Sequence, residues 1–344
     1  MKGRIPPDAL SRVKRILIIQ YKPFGDVLLN TAYLPALREA FPDSEIEYLV
    51  QRPYNVILQD NPSLDRLLIM ERRKKGTAGY ARERLRVLGE IRRRGYDMVI
   101  DQARGPASAW MTLASCARHR LGWHRPGKWS NLIYNHRAVR DHRSYAAKAR
   151  FGLLEPLGIR YDGSGTFMHI TGSSREKAAA WFRGNGLSGD DTVIISPVTP
   201  IARRQWNLRC YGELADMIVS RTGLRVVFLW GPGELEKVRE ITSGMKRESL
   251  AAPATTFNEA GAFLEKARAY IGNNGGVHHL ATAMGTPTLT IFGPGTNPWK
   301  WTAWHMPVHR HVMSQALHER TDDRLGLEPG EVFEAFCGLL DYLR

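Results

Sequence analysis

The sequence predicts an α/β protein built as two doubly wound parallel sheets in tandem, facing across a cleft, and three observations carry this expectation. Short apolar runs alternate with stretches of helical periodicity along most of the chain, the signature of parallel strands joined by right-handed helical crossovers. The alternation occurs twice, on either side of a break near GIRYDGSG, which divides the chain into residues 1–165 and 166–344. The length of 344 residues supplies a full core for each series, at roughly 150 residues per domain.

The first series opens with RILIIQYKPFGDVLLNTAYLPALREAF. Arg15 to Gln20 reads as a buried strand, Pro23 and Gly25 break it, and Val27, Leu28, Thr31, Leu34, Leu37 and Phe41 recur at helical spacing. Asp26 therefore sits where the strand hands over to the helix. A carboxylate there ordinarily serves the free amides and positive dipole of the first helical turn. In an open parallel sheet the same position faces the ligand crevice outside the strands' carboxyl ends. Further strands are expected near Ile46 to Gln51, Leu67 to Met70, Asp97 to Asp101 and His119 to Trp123. The second series begins with a helix at Ser173 to Gly186, followed by strands at Thr192 to Ser196, Arg225 to Trp230, Ala269 to Gly272 and Thr288 to Phe292. An amphipathic helix at about 328–343 closes it.

The formal net charge is +15, and its placement is one-sided. Residues 1–150 hold 29 Lys and Arg against 14 Asp and Glu, whereas the remainder holds 20 of each. The densest run, Arg72 to Arg94, reads either as a solvated helix face or as an anion-binding surface, and the excess favours a polyanionic partner for the first half. Cys116, Cys210 and Cys337 are too few and too scattered for a disulfide framework or a thiolate zinc site, so a reducing compartment is expected. The N-terminus has no signal-peptide core, and no apolar run reaches the ~20 residues that span a bilayer, so a soluble or peripheral protein is expected.

Three segments of the second series can carry chemistry. In ISPVTPIARRQWN, Thr199, Arg203 and Arg204 crown a strand's carboxyl end; hydroxyl and guanidinium together suit phosphate, and two surface loop arginines are the plain alternative. In VVFLWGPGELEK, Glu234 and Glu236 follow a glycine turn, where an acid serves the helix dipole or grips ribose hydroxyls. In AYIGNNGGVHHLATAMGTP, Asn273, Asn274, Gly275 and Gly276 lead into a helix holding His278 and His279, a phosphate cradle of close backbone and free helical amides. By contrast, GNGLSG at residues 184–189 follows a helix rather than a strand and reads as a loop, and no P-loop is present. His305, His309, His311 and His318 lack acids or thiols at ligand spacing and read as exposed loop residues, so no metal site is expected. Trp299, Trp301 and Trp304 either stack on a sugar or close a hydrophobic lid.

Taken in order, ILIIQYKPFGDVLLNTAYLPALREAFPDSEIEYLV, YDMVIDQARGPASA, HRLGW, RRQWN, WGPGE, IGNNGGVHHLATAMGTP and FGP resemble glycosyltransferase family 9, the lipopolysaccharide core heptosyltransferases, from about Arg15 to about Trp304. The resemblance implies a GT-B architecture of two Rossmann-like domains, the N-terminal one (1–165) binding a lipid-linked acceptor and the C-terminal one (166–344) an ADP-heptose donor. It implies Asp26 as the general base, with Lys22, Gly25 and Arg104 as acceptor contacts. Arg204, before Trp206, stands where the family commonly has a lysine and would neutralise the leaving diphosphate. Thr199, Arg203, Asn274, Gly275, Gly276 and His279 would line the phosphates and sugar, and Glu234 or Glu236 would hold the ribose. No cofactor and no metal are expected, with inversion at the anomeric centre by a single displacement. The enzyme is expected at the cytoplasmic face of the inner membrane, and nucleic acid is not expected as a partner for want of a recognised module.

Two departures stand out. The family's aspartate in the glycine-rich stretch is Asn274 here, followed by Gly275, which exchanges a carboxylate for a neutral amide. The family lysine is Arg204, which keeps charge and changes geometry. The alternatives are a nucleotide-sugar epimerase or hydrolase of the same architecture, and a non-catalytic polyanion-binding protein.

Overall fold

The computed structural model describes residues 4–293, 295–314 and 324–344. The chain divides into two compact units, Met1–His169 and Ile170–Arg344. Each contains one six-stranded sheet in which every pairing is parallel.

In the first unit the strands are β1 (Arg15–Ile19), β2 (Glu45–Gln51), β3 (Arg66–Met70), β4 (Met98–Asp101), β5 (His119–Trp123) and β6 (His136–Ala138). They lie in the order β3-β2-β1-β4-β5-β6. In the second unit β7 (Thr192–Ser196), β8 (Arg225–Phe228), β9 (Leu250–Ala251), β10 (Ala269–Asn273), β11 (Thr288–Phe292) and β12 (His309–Met313) lie in the order β12-β11-β10-β7-β8-β9. Renumbered within its own unit, the second sheet repeats the first. In both, the chain leaves the first strand in one direction and returns on its other side with the fourth, which creates a switch point between β1 and β4 and between β7 and β10.

The central strands are apolar because helices cover both faces of a parallel sheet. Ile16 to Ile19, Met98 to Ile100, Val193 to Ile195 and Ala269 to Ile271 are buried. Leu17, Ile19, Leu49 and Val99 pack against Val87 and Ile91 of the helix Ala78–Arg94. In the second unit the closing helix Pro329–Tyr342 buries Val332, Phe336 and Leu339 with Leu214 and Ile218 of the helix Leu208–Thr222. The sequence expectations cover every interior strand and omit β6, β9 and β12, which form three of the four sheet edges.

The basic run Arg72 to Arg94 is partly spent within the fold. Arg86 pairs with Glu83 at 2.7 Å and Glu90 at 3.0 Å, Arg94 pairs with Glu45 and Glu47, and Arg84 lies over the rings of Tyr21 and Tyr80. Arg82, Arg92 and Arg93 are exposed. Among the described residues no helix is long and apolar enough to cross a membrane.

Candidate active site

Apart from Glu234 and Glu236, which follow β8, the sequence-derived candidates follow the carboxyl ends of the strands that flank the two switch points. In the first unit, β1 runs through Lys22 and Pro23, joined by a cis peptide bond, into the helix Phe24–Asn30. Asp26 falls in that helix's first turn, and Pro23 at the cap position offers no side-chain acceptor. Asp26 does not act as a plain cap. Its Oδ1 accepts from Nη2 of Arg150, a side chain only 1% exposed against 28% for Asp26.

Arg150 belongs to the helix Ala146–Phe151, and its carbonyl accepts from Gln102 Nε2 at 3.2 Å. Gln102 Oε1 in turn accepts from the indole of the buried Trp123 at 3.1 Å. The guanidinium beside Asp26 is therefore held through its helix to the turn that follows β4. That turn carries Arg104 in a left-handed conformation, φ 59°. It is fixed by the fully buried Asp101, which accepts from the Ala103 amide at 2.9 Å and from the Tyr134 hydroxyl at 2.6 Å. Burial pushes the Asp101 carboxyl up to about 6 against these hydrogen bonds. Tyr134 can reach it because Gly122 lies directly under its ring: a β-carbon at 122 would come within 2.3 Å of the ring carbons.

Three guanidinium groups share the field of Asp26 in this unit, those of Arg150, Arg104 and Arg140, and Arg125 braces one of them by donating to the Arg104 carbonyl at 2.6 Å. Burial first, then repulsion from Arg125 and Arg150, lowers the pKa of Arg104, and Asp26 opposes the shift. Burial and the charge of Arg150 bring Arg140 down to about 9, again with Asp26 opposing. Nε of Arg104 and Nε and Nη2 of Arg140 are buried with no hydrogen-bond partner among the described residues. Donors in that condition suit an anionic ligand. The sequence does not single out Arg125, Arg140 or Arg150, because isolated arginines carry no local signal of convergence.

Lys22 is exposed and its carbonyl accepts from Gln20 Nε2 at 2.5 Å, while Gly25 is half-buried beside Asp26 in the chain.

In the second unit the loop after β7 and the loop after β10 meet. Arg204 Nη1 lies 3.5 Å from the Asn274 carbonyl, and Thr199 Oγ1 would be 3.8 Å from a β-carbon at Gly275. The Thr199 amide donates to Gln205 Oε1 at 2.9 Å. Asn273 acts as a scaffold: its Oδ1 accepts from the Tyr211 hydroxyl at 2.8 Å and the Trp206 amide at 3.3 Å. Nδ2 of Asn274 is buried without a hydrogen-bond partner among the described residues, as are Nδ2 of Asn273 and Nε of Arg204. Burial, followed by Arg203, lowers the pKa of Arg204. The helix Gly276–Ala283 begins at this point with Gly275 as an N-cap that offers no side chain, so its first amides remain available.

The structure also separates residues that the sequence groups together. Arg203 is exposed on the short turn Ala202–Arg204, away from the contacts Arg204 makes. Glu234 folds back so that its Oε2 accepts from the Gly231 amide at 2.7 Å, holding the turn after β8. Glu236 is 80% exposed and pairs with Arg239 on its own helix at 2.6 Å, so the turn does not gather it. His279 is buried, its ring 6.0 Å from that of Trp301, and His278 lies fully buried behind it.

The expectation of exposed loop histidines needs correction. His309 and His311 lie on β12; His309 is buried with Nδ1 3.2 Å from Thr288 Oγ1, and burial drives it down to about 4. His311 packs edge-on to Trp299 at 4.8 Å. His305 is exposed, and His318 lies outside the described residues. Trp299 and Trp304 form a surface pair rather than core, with ring centroids 5.9 Å apart.

Lipopolysaccharide heptosyltransferase 3 of Escherichia coli K12 is 27% identical over 292 residues, covering 81% of this chain and 82% of that protein. The solved structure of a family 9 glycosyltransferase from Veillonella parvula superposes with a TM-score of 0.83 at 21% identity, covering 96% of this chain and 97% of the other. E. coli heptosyltransferase WaaC with ADP-2-deoxy-2-fluoro heptose superposes with a TM-score of 0.73 at 19% identity, covering 96% and 100%. These likenesses give the two-domain GT-B fold. Residues 84–324 match the profile of glycosyltransferase family 9 (heptosyltransferase), and the chain belongs to that family of glycosyltransferases.

Proposed function

We propose that this enzyme moves a heptose, or a closely related sugar, from an ADP-sugar to a lipopolysaccharide core or similar acidic lipid-linked glycan at the cytoplasmic face of the inner membrane. The observation that carries the reading is the pairing of Asp26 with Arg150 at the first switch point. It is an acid held by a buried cation in the crevice position, not a free helix cap. The relatives named for lipopolysaccharide heptosyl transfer, and the ADP-2-deoxy-2-fluoro heptose that accompanies WaaC in its solved structure, support the donor and acceptor classes.

In this proposal Arg150 holds Asp26 Oδ1, and Oδ2 accepts the proton of the acceptor hydroxyl as its oxygen forms a bond to the anomeric carbon. The bond from that carbon to the diphosphate breaks in the same step, and the electron pair leaves with ADP. Displacement from the opposite side inverts the centre. Arg204 and the free amides at Gly276 take the growing charge on the diphosphate, with Thr199 and His279 beside it. The Asn274 amide, a buried donor without a partner among the described residues, hydrogen-bonds the donor sugar nucleotide, and Glu234, which holds the turn after β8, takes the ribose hydroxyls. The charge compensation comes from protein groups, so the step as written draws on no metal. Arg104 and Arg140 receive an acidic group of the acceptor. Lys22 and Gly25 lie at the same loop as Asp26.

The test is ADP release from a panel of nucleotide sugars with and without a truncated core acceptor. Acceptor-dependent release from ADP-heptose is the expected result. Acceptor-independent conversion of the donor would replace this reading with an epimerase or hydrolase, and release from another nucleotide sugar would assign Asn274 to a changed donor specificity.

A further inference from the structure

The first unit carries an exposed aromatic surface that the transfer chemistry does not use. Trp110 and Leu113 lie on the helix Pro106–Ala114 that follows β4, and Trp129 and Leu132 lie on the single 3₁₀ turn Trp129–Leu132 that follows β5. The two indoles meet with ring centroids 5.2 Å apart. Trp110 is 55% exposed, Trp129 45% and Leu132 88%. Positions three apart share a face on an α-helix and eclipse on a 3₁₀ turn, so each leucine extends its own tryptophan's side of the patch.

Scattered exposed apolar residues are ordinary; two large aromatics from different elements brought into contact with water on their outer faces are not. The surrounding charge says what they face. Of the eight Lys and Arg from Arg104 to Arg143, Arg118, Lys128, Arg137 and Arg143 are exposed, against one acid, Asp141. Lys128 and Arg137 flank the patch in sequence and are exposed. Indoles with leucines inside a basic border match the boundary between lipid headgroups and acyl chains, where the amphipathic ring is favoured and each nearby cation gains from anionic lipid.

We propose that the Trp110–Leu113–Trp129–Leu132 surface docks the first unit on an anionic phospholipid bilayer. This docking rests on the lipid-linked acceptor of the preceding reading and gives that acceptor's anchor a place. The helix that carries Trp110 and Leu113 begins two residues after Arg104, whose carbonyl holds Arg125, so the docked surface adjoins the loops that carry the acceptor-side arginines. The insertion is shallow: among the described residues no helix spans a bilayer.

The experiment is sedimentation of the full chain with vesicles of phosphatidylcholine alone and of phosphatidylcholine with phosphatidylglycerol, together with quenching of tryptophan fluorescence by brominated acyl chains. The chain is expected to bind the anionic vesicles, to lose binding as salt rises, and to show quenching. The double variant Trp110→Ser/Trp129→Ser should bind at least about tenfold more weakly and lose that quenching. Lys128→Glu should weaken binding only at low salt. Both indoles are solvent-facing, so the thermal unfolding of the double variant should match the parent. No binding to anionic vesicles by the unaltered chain, equal binding by the double variant, or a dimer that the double variant dissolves would each overturn the proposal. Transfer to a delipidated soluble acceptor, assayed alongside, separates the two readings: vesicle binding without transfer refutes the function, and transfer without vesicle binding refutes the surface.

Discussion

At the carboxyl end of β1 the chain presents a carboxylate, Asp26, gripped by a buried arginine, with Arg104 and Arg140 in the same field. At the corresponding position after β7 it presents a hydroxyl and a guanidinium, Thr199 and Arg204, beside the neutral amide of Asn274 and a helix N-terminus. The strand order around the two sites is the same. The charge is not: the first unit holds 30 Lys and Arg against 16 Asp and Glu, or +14, and the second 19 against 18, or +1. Repeating a topology repeats where a ligand can bind, because the crevice is a property of strand order. Which ligand binds is decided by the few side chains the loops deliver there.

The comparison breaks most directly at Asp26. Asp26→Asn should lower transfer by about 10²–10⁴-fold while ADP affinity, measured by calorimetry, stays at the parent value. Transfer at the parent rate would reduce Asp26 to a first-turn acid serving its helix. Arg204→Ala should act on the other unit, cutting turnover roughly 10²-fold and weakening ADP binding with it. An unchanged ADP affinity would remove Arg204 from the diphosphate.

Arg150 sharpens the contrast. It is a positioning residue for Asp26, so Arg150→Met should lower kcat by about tenfold or more with the KM for the ADP-sugar unmoved, and Arg150→Lys should recover part of the loss. A change in donor KM alone would point to a different role.

Two buried sites, one in each unit, should also respond to pH in opposite directions. Asp101 is raised by burial from the ordinary 3.8 to about 6, so its contribution is fully present below 3.8 and is lost as pH rises through about 6. That amounts to up to about 3 kcal/mol of local stability in the first unit. Burial lowers His309 from the ordinary 6.5 to about 4 and drives His278 well below 6.5, so their contribution is present above 6.5 and lost as pH falls toward 4. Hydrogen exchange read separately on β4 and β11 between these limits should slope in opposite senses, and Asp101→Asn should flatten the first slope only. The smallest effect is expected at the turn after β8. Glu234→Ala should raise the KM for the ADP-sugar a few-fold, roughly 1 kcal/mol, whereas Glu236→Ala should leave it unchanged.

Much of this architecture is legible in the sequence for an identifiable reason. The interior strands are buried on both faces and so are written as continuous apolar runs, such as Arg15–Ile19 and Thr192–Ser196. The edge strands β6, HRA, β9, two residues long, and β12, HRHVM, pair on one side only and carry no such signal. Asp26, Thr199, Arg204, Asn274 and Glu234 stand out because each lies within eight residues of a strand's carboxyl end, in a turn whose glycines, prolines or neighbouring polar groups suit a ligand. Arg125 and Arg140 lie closer still, two residues past β5 and β6, and Arg150 lies inside a helix, yet none stands out, since nothing local distinguishes a converging arginine from a solvated one. The histidines of β12 mislead for the same reason: their burial comes from β11 and Trp299, and no pattern within HRHVM announces either neighbour.

The sequence by itself determined the alternation of strands and helices, the two-unit division, the one-sided charge and the residues delivered at the strand ends, because each is set by local periodicity and composition. Only the tertiary structure decided that Asp26 is paired and with which arginine, that Glu234 and not Glu236 holds its turn, and that Trp110 meets Trp129. Each of these depends on which side chains the sheet order brings within a few ångströms, and that order is fixed by packing between segments far apart in the chain.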